Sequence, residues 1–181
     1  YGEFADTVRD VRGEVAARAL LSRRNDMRHI AVEVLPSHIG KDNNIWKITS
    51  GGIDIDSTRI AVDQFRVYNA VEGQDLIVDG VASRQSADSL QLVLKNFELT
   101  PFVQFATQIG YQIEGRTSGY VTVHSALKDA SINAAVDLDS IYINTLPIDN
   151  LKLSSRWDFG RSRAKLSVMT AKSGKEIASG Y

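Results

Sequence analysis

The sequence predicts an all-β protein, an antiparallel meander curled into a groove and interrupted by one short helix. Three observations carry this. Over most of the chain apolar side chains recur at every second position, which is the period that a pleated strand imposes. Polar and glycine-rich punctuation breaks the alternation at the roughly 8–12-residue spacing of short strands joined by tight turns. One stretch alone, after Thr100, changes to a helical period.

The first 23 residues fit two patterns: Val8, Val11, Val15 and Ala19 make a helical stripe, while Val15, Ala17, Ala19 and Leu21 make one face of a strand. A strand from about Gly13 is the reading that joins a turn at Arg23-Arg24-Asn25-Asp26 to the alternation of Ile30, Val32 and Val34. Pro36-Ser37-His38 and Lys41-Asp42-Asn43-Asn44 are expected in a connection, Trp46 and Ile48 on the inner side of a short strand, and Gly51-Gly52 at its end. Ile53 and Ile55 alternate with Asp54 and Asp56. Ile60 and Val62 then slip phase against Phe65 and Val67, which predicts a bulge or a strand break between Val62 and Phe65. Leu76, Val78 and Val81 supply another strand.

Leu90, Leu92 and Leu94 share one face of the next strand. Thr100 can then cap a helix over about 101–109, Pro101 suits its first turn, and Phe102, Phe105, Ala106 and Ile109 form its apolar stripe before Gly110. That stripe either packs on the sheet or serves as a lid or docking surface. Gly115-Arg116-Thr117-Ser118-Gly119 is expected to turn the chain into a strand from Tyr120. Ile132, Ala134, Val136 and Leu138 alternate, and Ile141 and Ile143 resume in the opposite phase before a turn around Pro147. Leu151, Leu153, Ser155 and Trp157 pair in pattern with Ala164, Leu166 and Val168 across a turn at Gly160-Arg161-Ser162. About ten to a dozen strands result. Links this short favour antiparallel neighbours, since a parallel pair needs a crossover of a dozen or more residues. The apolar face must then be covered by folding over, by closing into a barrel, or by an apolar guest.

Composition excludes several functions. With 21 basic and 22 acidic residues, a net charge of −1 and no basic cluster of the kind nucleic acid requires, no nucleic-acid partner is expected. No apolar run approaches the ~20 residues of a membrane-spanning helix. The chain has no cysteine, hence no disulfide or thiolate site. It opens at Tyr1 and stops at Tyr181 just after Ile177-Ala178-Ser179-Gly180, where a strand begins, so residues 1–181 are expected to be one segment of a longer repetitive protein, cut at both ends.

No catalytic, cofactor or metal site is expected. Asp54 with Asp56, and Asp137 with Asp139, could hold a hard cation or act as acid and base, but each occupies the polar half of an alternating strand and reads as solvated. His29, His38 and His124 lack metal-ligand spacing and read as surface or loop residues. Ser125 beside His124 cannot act as nucleophile and base, because adjacent strand residues point to opposite faces.

Asn44-Ile45-Trp46-Lys47-Ile48 after Pro36-Ser37, then Ile53-Asp54-Ile55-Asp56-Ser57, Val78-Asp79-Gly80-Val81-Ala82-Ser83, Leu92 to Leu99, Gly115 to Gly119 and Ser154-Ser155-Arg156-Trp157-Asp158 together resemble a TamB-like translocation and assembly module protein over about residues 28–170. The resemblance implies a long protein of the Gram-negative envelope, anchored in the inner membrane by an N-terminal helix and crossing the periplasm as a curled sheet with an apolar interior, related to AsmA-like and bridge-like lipid-transfer proteins. It implies roles in phospholipid transport between inner and outer membrane, in outer-membrane biogenesis and protein secretion, with an outer-membrane β-barrel partner. The membrane anchor and the family's C-terminal region are absent from this sequence, so docking to the barrel belongs to the full-length protein.

Under this resemblance Leu90, Leu92, Leu94, Ile132, Val136, Leu138, Leu151, Leu153 and Leu166 are the expected lining of a groove for phospholipid acyl chains, and Phe102, Phe105 and Ile109 its lid or packing helix. The alternative is a scaffold whose strand edges template outer-membrane β-barrel proteins.

Overall fold

The computed structural model describes residues 2–6, 11–24, 27–41, 44–49, 51–99, 110, 112–148, 150–170 and 176–180. Sixteen strand segments follow in chain order: β1 (Gly2–Asp6), β2 (Val11–Val15), β3 (Ala17–Arg24), β4 (Met27–Val34), β5 (Ser37–Lys41), β6 (Asn44–Ile48), β7 (Gly51–Ile55), β8 (Arg59–Asn69), β9 (Gln74–Ser83), β10 (Ser89–Glu98), β11 (Ile113–His124), β12 (Ser131–Ile143), β13 (Leu146–Ile148), β14 (Leu151–Asp158), β15 (Arg163–Thr170) and β16 (Glu176–Gly180). All pairings are antiparallel, within one open sheet whose path runs from β1 to β16. It is a sheet curled into a groove and not closed into a barrel. Among the described residues there is no helix, and the stretch 101–109, with Phe102, Phe105 and Ile109, lies outside them.

The sixteen segments are fewer strands than they look. β4 and β5 run along β7 and β6 in a single register, from Ile30↔Ile55 through Val34↔Gly51 and Ser37↔Ile48 to Lys41↔Asn44. β8 likewise pairs its first half with β7 and its second half with β6. β13 and β14 share one register on β12. The segments β2 with β3, β4 with β5, β6 with β7 and β13 with β14 are therefore halves of long strands, which leaves twelve strands in an up-and-down meander.

Bulges kink the long strands, at Ala16 between β2 and β3 and inside β8, β10 and β12. An extra residue in one strand is left unpaired and bends the strand, and its N–H must find another acceptor. At Ala16 the N–H donates to Ser37 Oγ at 2.9 Å. Gln64 (φ 44°) donates to Asp79 Oδ1 at 3.0 Å, Asn96 (φ 52°) to Ser118 Oγ at 2.9 Å, and Ser140 (φ 52°) to Asn150 Oδ1 at 3.1 Å. The phase slips at Val62/Phe65 and at Leu138/Ile141 that the sequence displays are the bulges at Gln64 and Ser140.

Several expectations are corrected. Gly115–Gly119 is no turn: it lies inside β11, which pairs without a break from Thr117 to His124. The glycines are there because neighbouring backbone comes too close for a side chain. A Cβ on Gly119 (φ 151°) would lie 2.2 Å from Ala135 O, and one on Gly115 (φ 143°) 3.0 Å from Asp139 O. Ser37–Lys41 is a strand and not a connection, because its backbone continues the β4 register past the kink at Pro36. Gly51–Gly52 opens β7, where a Cβ on Gly51 would sit 3.1 Å from Asp63 O. Val81 belongs to β9 but sits opposite Ala61 on the polar side, and Ala82, opposite Ile60, takes the inner place. The turn expected around Pro147 falls at Asn144 and Thr145, and Pro147 itself pairs with Tyr142 in β13.

The close approach at Gly119 sets a test. Gly119→Ala costs ~2 kcal/mol or more in denaturant unfolding, because φ and the carbonyl contact are both violated, whereas Gly40→Ala, whose Cβ would meet nothing nearer than 3.6 Å, changes stability by less than about 0.5 kcal/mol. Equal losses at the two sites would refute this account of the glycines.

Candidate functional site

Directly opposed residues on adjacent strands share a face, so the register spells out what each face carries. One row reads Ala19, Val32, Ile53, Val62, Gly80, Leu90, Val123, Ile132, Trp157, Ala164 across ten strands, without a charge. A parallel row reads Ser37, Ile48, Val67, Leu76, Leu94, Gly119, Val136, Leu153, Val168. The row one residue along, Asp79, Gln91, Thr122, Asn133, Arg156, Lys165, is polar throughout. The period-two alternation thus resolves into one largely apolar face and an opposite face that is polar along this row and mixed elsewhere, as at Ile77, Val93, Tyr120 and Ala135.

All nine residues expected to line the groove fall on the apolar face. Leu90, Leu92 and Leu94 lie on β10, Ile132, Val136 and Leu138 on β12, Leu151 and Leu153 on β14, and Leu166 on β15, with Leu92 continuing through Val121, Ala134 and Ser155 to Leu166. Trp46, Val62, Phe65, Phe97, Val121 and Val123 share this face; Trp46, Val62 and Phe65 are apolar in the sequence pattern too, but a single strand does not show which of its two sides matches its neighbour's.

The face is concave and mostly unfilled by the described residues. The rings of Trp46 on β6 and Phe97 on β10 are 5.2 Å apart although β8 and β9 separate their strands. At ~4.8 Å per strand a flat sheet would hold them ~14 Å apart. Away from that contact the face stays half-exposed. The buried apolar side chains are Ala16, Ile48, Ala82, Leu94, Leu99 and Ile141, while Leu90, Leu92, Ile132, Val136, Leu138, Leu151 and Leu153 are only half-buried and Leu166 is 46 % exposed. Among the described residues the one large side chain shielded completely is polar: Asn69, which accepts the N–H groups of Val71 and Glu72 at 3.0 and 3.2 Å and donates to Asn44 Oδ1. A second sheet or a packed sandwich would bury Leu and Ile in this way.

The polar face is tied together by cross-strand clasps. Arg66 holds Asp75 with two contacts, Nε to Oδ1 at 2.8 Å and Nη2 to Oδ2 at 2.5 Å, and its guanidinium stacks 4.7 Å from the Tyr68 ring. Arg116 reaches Glu72 at 3.2 Å. His29 overturns its reading as a surface residue: it is 8 % exposed, with Nε2 2.7 and 2.8 Å from the Asp54 carboxylate and Nδ1 3.2 Å from Ser22 Oγ. Ser22 sits opposite His29 and Asp54 opposite Ala31, a diagonal that only strand pairing creates. Ser22, His29 and Asp54 have the composition of a hydrolytic triad, but Ser22 lies mid-strand in β3, without the strained turn that presents a nucleophile beside an oxyanion hole. The array satisfies a buried imidazole. His38 is exposed and His124 half-buried. Asp56 is not simply solvated either. It closes the turn before β8 by accepting the Thr58 hydroxyl at 2.6 Å and the N–H groups of Thr58 and Arg59 at 2.7 and 3.0 Å. Asp137 stands 3.8 Å from Lys152, and Asp139 is exposed. Among the described residues no His, Asp and Glu cluster could hold a metal ion.

No family model, curated protein or solved structure matches the chain.

Two tests follow from the clasps. Asp54→Ala strands the buried His29 Nε2 and costs ~1–3 kcal/mol in denaturant unfolding; an unchanged midpoint would show that water replaces the carboxylate freely. The Thr58 hydroxyl, then the Thr58 N–H, hold the Asp56 pKa below its ordinary 3.8. A carboxylate depressed in the folded state stabilises above its ordinary pKa and loses that contribution as pH falls through the folded value. The stability gap between wild type and Asp56→Asn is therefore present at neutral pH and closes below 3.8; a gap constant from neutral to strongly acidic pH would contradict this.

Proposed function

We propose that this chain is a non-catalytic segment of an envelope-spanning, TamB-like protein that shields phospholipid acyl chains in its apolar groove during transport between the inner and outer membranes. The observation that carries this reading is the apolar face that runs across ten strands and is left half-exposed by its own side chains. Such a face in water is unfavourable by ~25 cal/mol per Å², and contiguous apolar surface of this extent marks a binding surface. An acyl chain is a fitting guest because it is long, flexible and uniformly apolar. Each of its methylenes gains ~0.8 kcal/mol on leaving water, while the rows are mostly Leu, Ile and Val with few polar side chains such as Ser37 and Ser155 and no charge, so it shifts along the face at little cost. The mechanism is solvation, and no bond is made or broken.

The polar face supports the same reading. Its clasps hold the sheet's curvature without filling the groove, and its side chains face the aqueous periplasm that the resemblance implies. In the alternative reading the segment is a scaffold for the assembly of outer-membrane β-barrel proteins. What favours it is that β3 and β16 hydrogen-bond on one side only among the described residues, which suits strand addition.

Native mass spectrometry of the purified chain separates the two. The conduit retains phospholipid, and Leu92→Glu, which sets a carboxylate among Phe65, Val78 and Val121, removes it while lowering stability by only ~1 kcal/mol, because the half-exposed position lets the charge reach water. A chain free of lipid, or lipid retained equally by Leu92→Glu, would sink the conduit. Loss of several kcal/mol would instead reveal a closed core.

A further inference from the structure

The hairpin between β14 and β15 carries a surface that the groove does not use. Trp157 and Phe159 stand at its tip, 45 and 55 % exposed, with ring centroids 6.2 Å apart. Residues 156–165 also hold four cations, Arg156, Arg161, Arg163 and Lys165, against the single carboxylate Asp158, in a chain whose net charge is −1. All four cations are exposed. Arg156 and Lys165 are directly opposed across the two strands, and like charges in that position oppose pairing. The lone carboxylate is occupied: Asp158 accepts the Arg161 N–H at 3.1 Å and lies 3.7 Å from its Nε. The adjoining turn adds Leu127, 44 % exposed, Lys128 and the carboxylate Asp129, which lies against Gly160, so the tip as a whole carries five cations against two carboxylates; the turn is joined to the hairpin where Phe159 N–H donates to Ala130 O at 3.0 Å.

Exposed aromatic rings set among cations match one kind of partner. Trp settles at the level of lipid headgroups, where its ring is half in the apolar layer, and Lys or Arg close to an anionic leaflet adds attraction that salt screens. We infer that the β14–β15 tip is a docking surface for an anionic phospholipid bilayer, with Trp157 and Phe159 entering the interfacial layer and Arg161 and Arg163 against the headgroups. An acidic protein would account for the cations but leave two exposed aromatic rings without a role. This goes beyond the conduit reading and stands on different residues, although Trp157 also ends one of the groove's apolar rows, so a docked tip brings the groove mouth to the membrane.

Co-sedimentation with vesicles tests it, using phosphatidylcholine alone and phosphatidylcholine with phosphatidylglycerol. The chain binds the anionic vesicles, binding falls as salt is raised, and Trp emission shifts to the blue. Arg161→Gln with Arg163→Gln weakens binding about 30-fold, two surface charges being removed, and Phe159→Ser weakens it about 10-fold. The double arginine variant leaves the phospholipid retained in native mass spectrometry unchanged, because Arg163 lies opposite Asp158 on the polar face and Arg161 lies in the turn. Failure to bind anionic vesicles, equal binding to neutral ones, or unchanged binding by both variants overturns the inference. Self-association abolished by Phe159→Ser in the absence of vesicles would overturn it in favour of a second copy as occupant. A chain that binds anionic vesicles yet carries no lipid of its own would leave this surface standing and remove the conduit.

Discussion

The structure depends on a backbone constraint: wherever a long strand is kinked, an N–H leaves the ladder and must be taken by something else. Ser37, Asp79, Ser118 and Asn150 each take one. Without these acceptors the bulges at the buried Ala16 and the half-buried Asn96 would hold donors without partners, and straighter strands would be favoured there over kinked ones. The bulges also reset the alternation, which is why Phe65 and Val67 return to the apolar face after Ile60 and Val62 and why Ile141 does so after Leu138. Curvature and the continuity of the apolar face therefore have the same source.

A single curled layer has an energetic character of its own. It buries little, since the shielded apolar residues are few and include two alanines. Stability must come from the ladder of antiparallel pairs, from the clasps of the polar face, and from whatever covers the apolar face. A sandwich of this length would pack its apolar rows on each other; here the described residues leave them half-exposed, and that is the physical content of the proposed conduit reading. Local closure by Trp46 and Phe97 shows that the sheet can fill its own groove where aromatic rings are supplied.

The two faces divide the work. The polar side carries Arg66–Asp75 and Ser22–His29, which clasp consecutive strands, and Arg116–Glu72 and His29–Asp54, which join elements more distant in the chain. Exposed ion pairs contribute little individually, so their part is to hold neighbouring strands in register more than to stabilise the fold. His29 differs because it is buried, and a buried imidazole needs partners on both nitrogens.

Most of the fold was legible in the sequence because alternation is a local property. Leu90, Leu92 and Leu94, or Ile132, Val136 and Leu138, declare their shared face without reference to any other strand, and the phase slip at Val62/Phe65 marked a bulge one could place. Other features depend on what lies across the sheet, and only the tertiary structure decided them. Gly115 and Gly119 look like turn residues until Asp139 O and Ala135 O are seen to occupy the space a side chain would need. His29 looks like a surface histidine until the register brings Asp54 to within hydrogen-bond reach. Whether the apolar face is filled depends on how far the sheet curls, and that curl is set by bulges acting together on strands far apart in sequence. The sequence determined which side chains share a face; the distances between faces and strands, which no local pattern encodes, determined that the sheet does not close into a barrel and that its described apolar residues are left half-exposed.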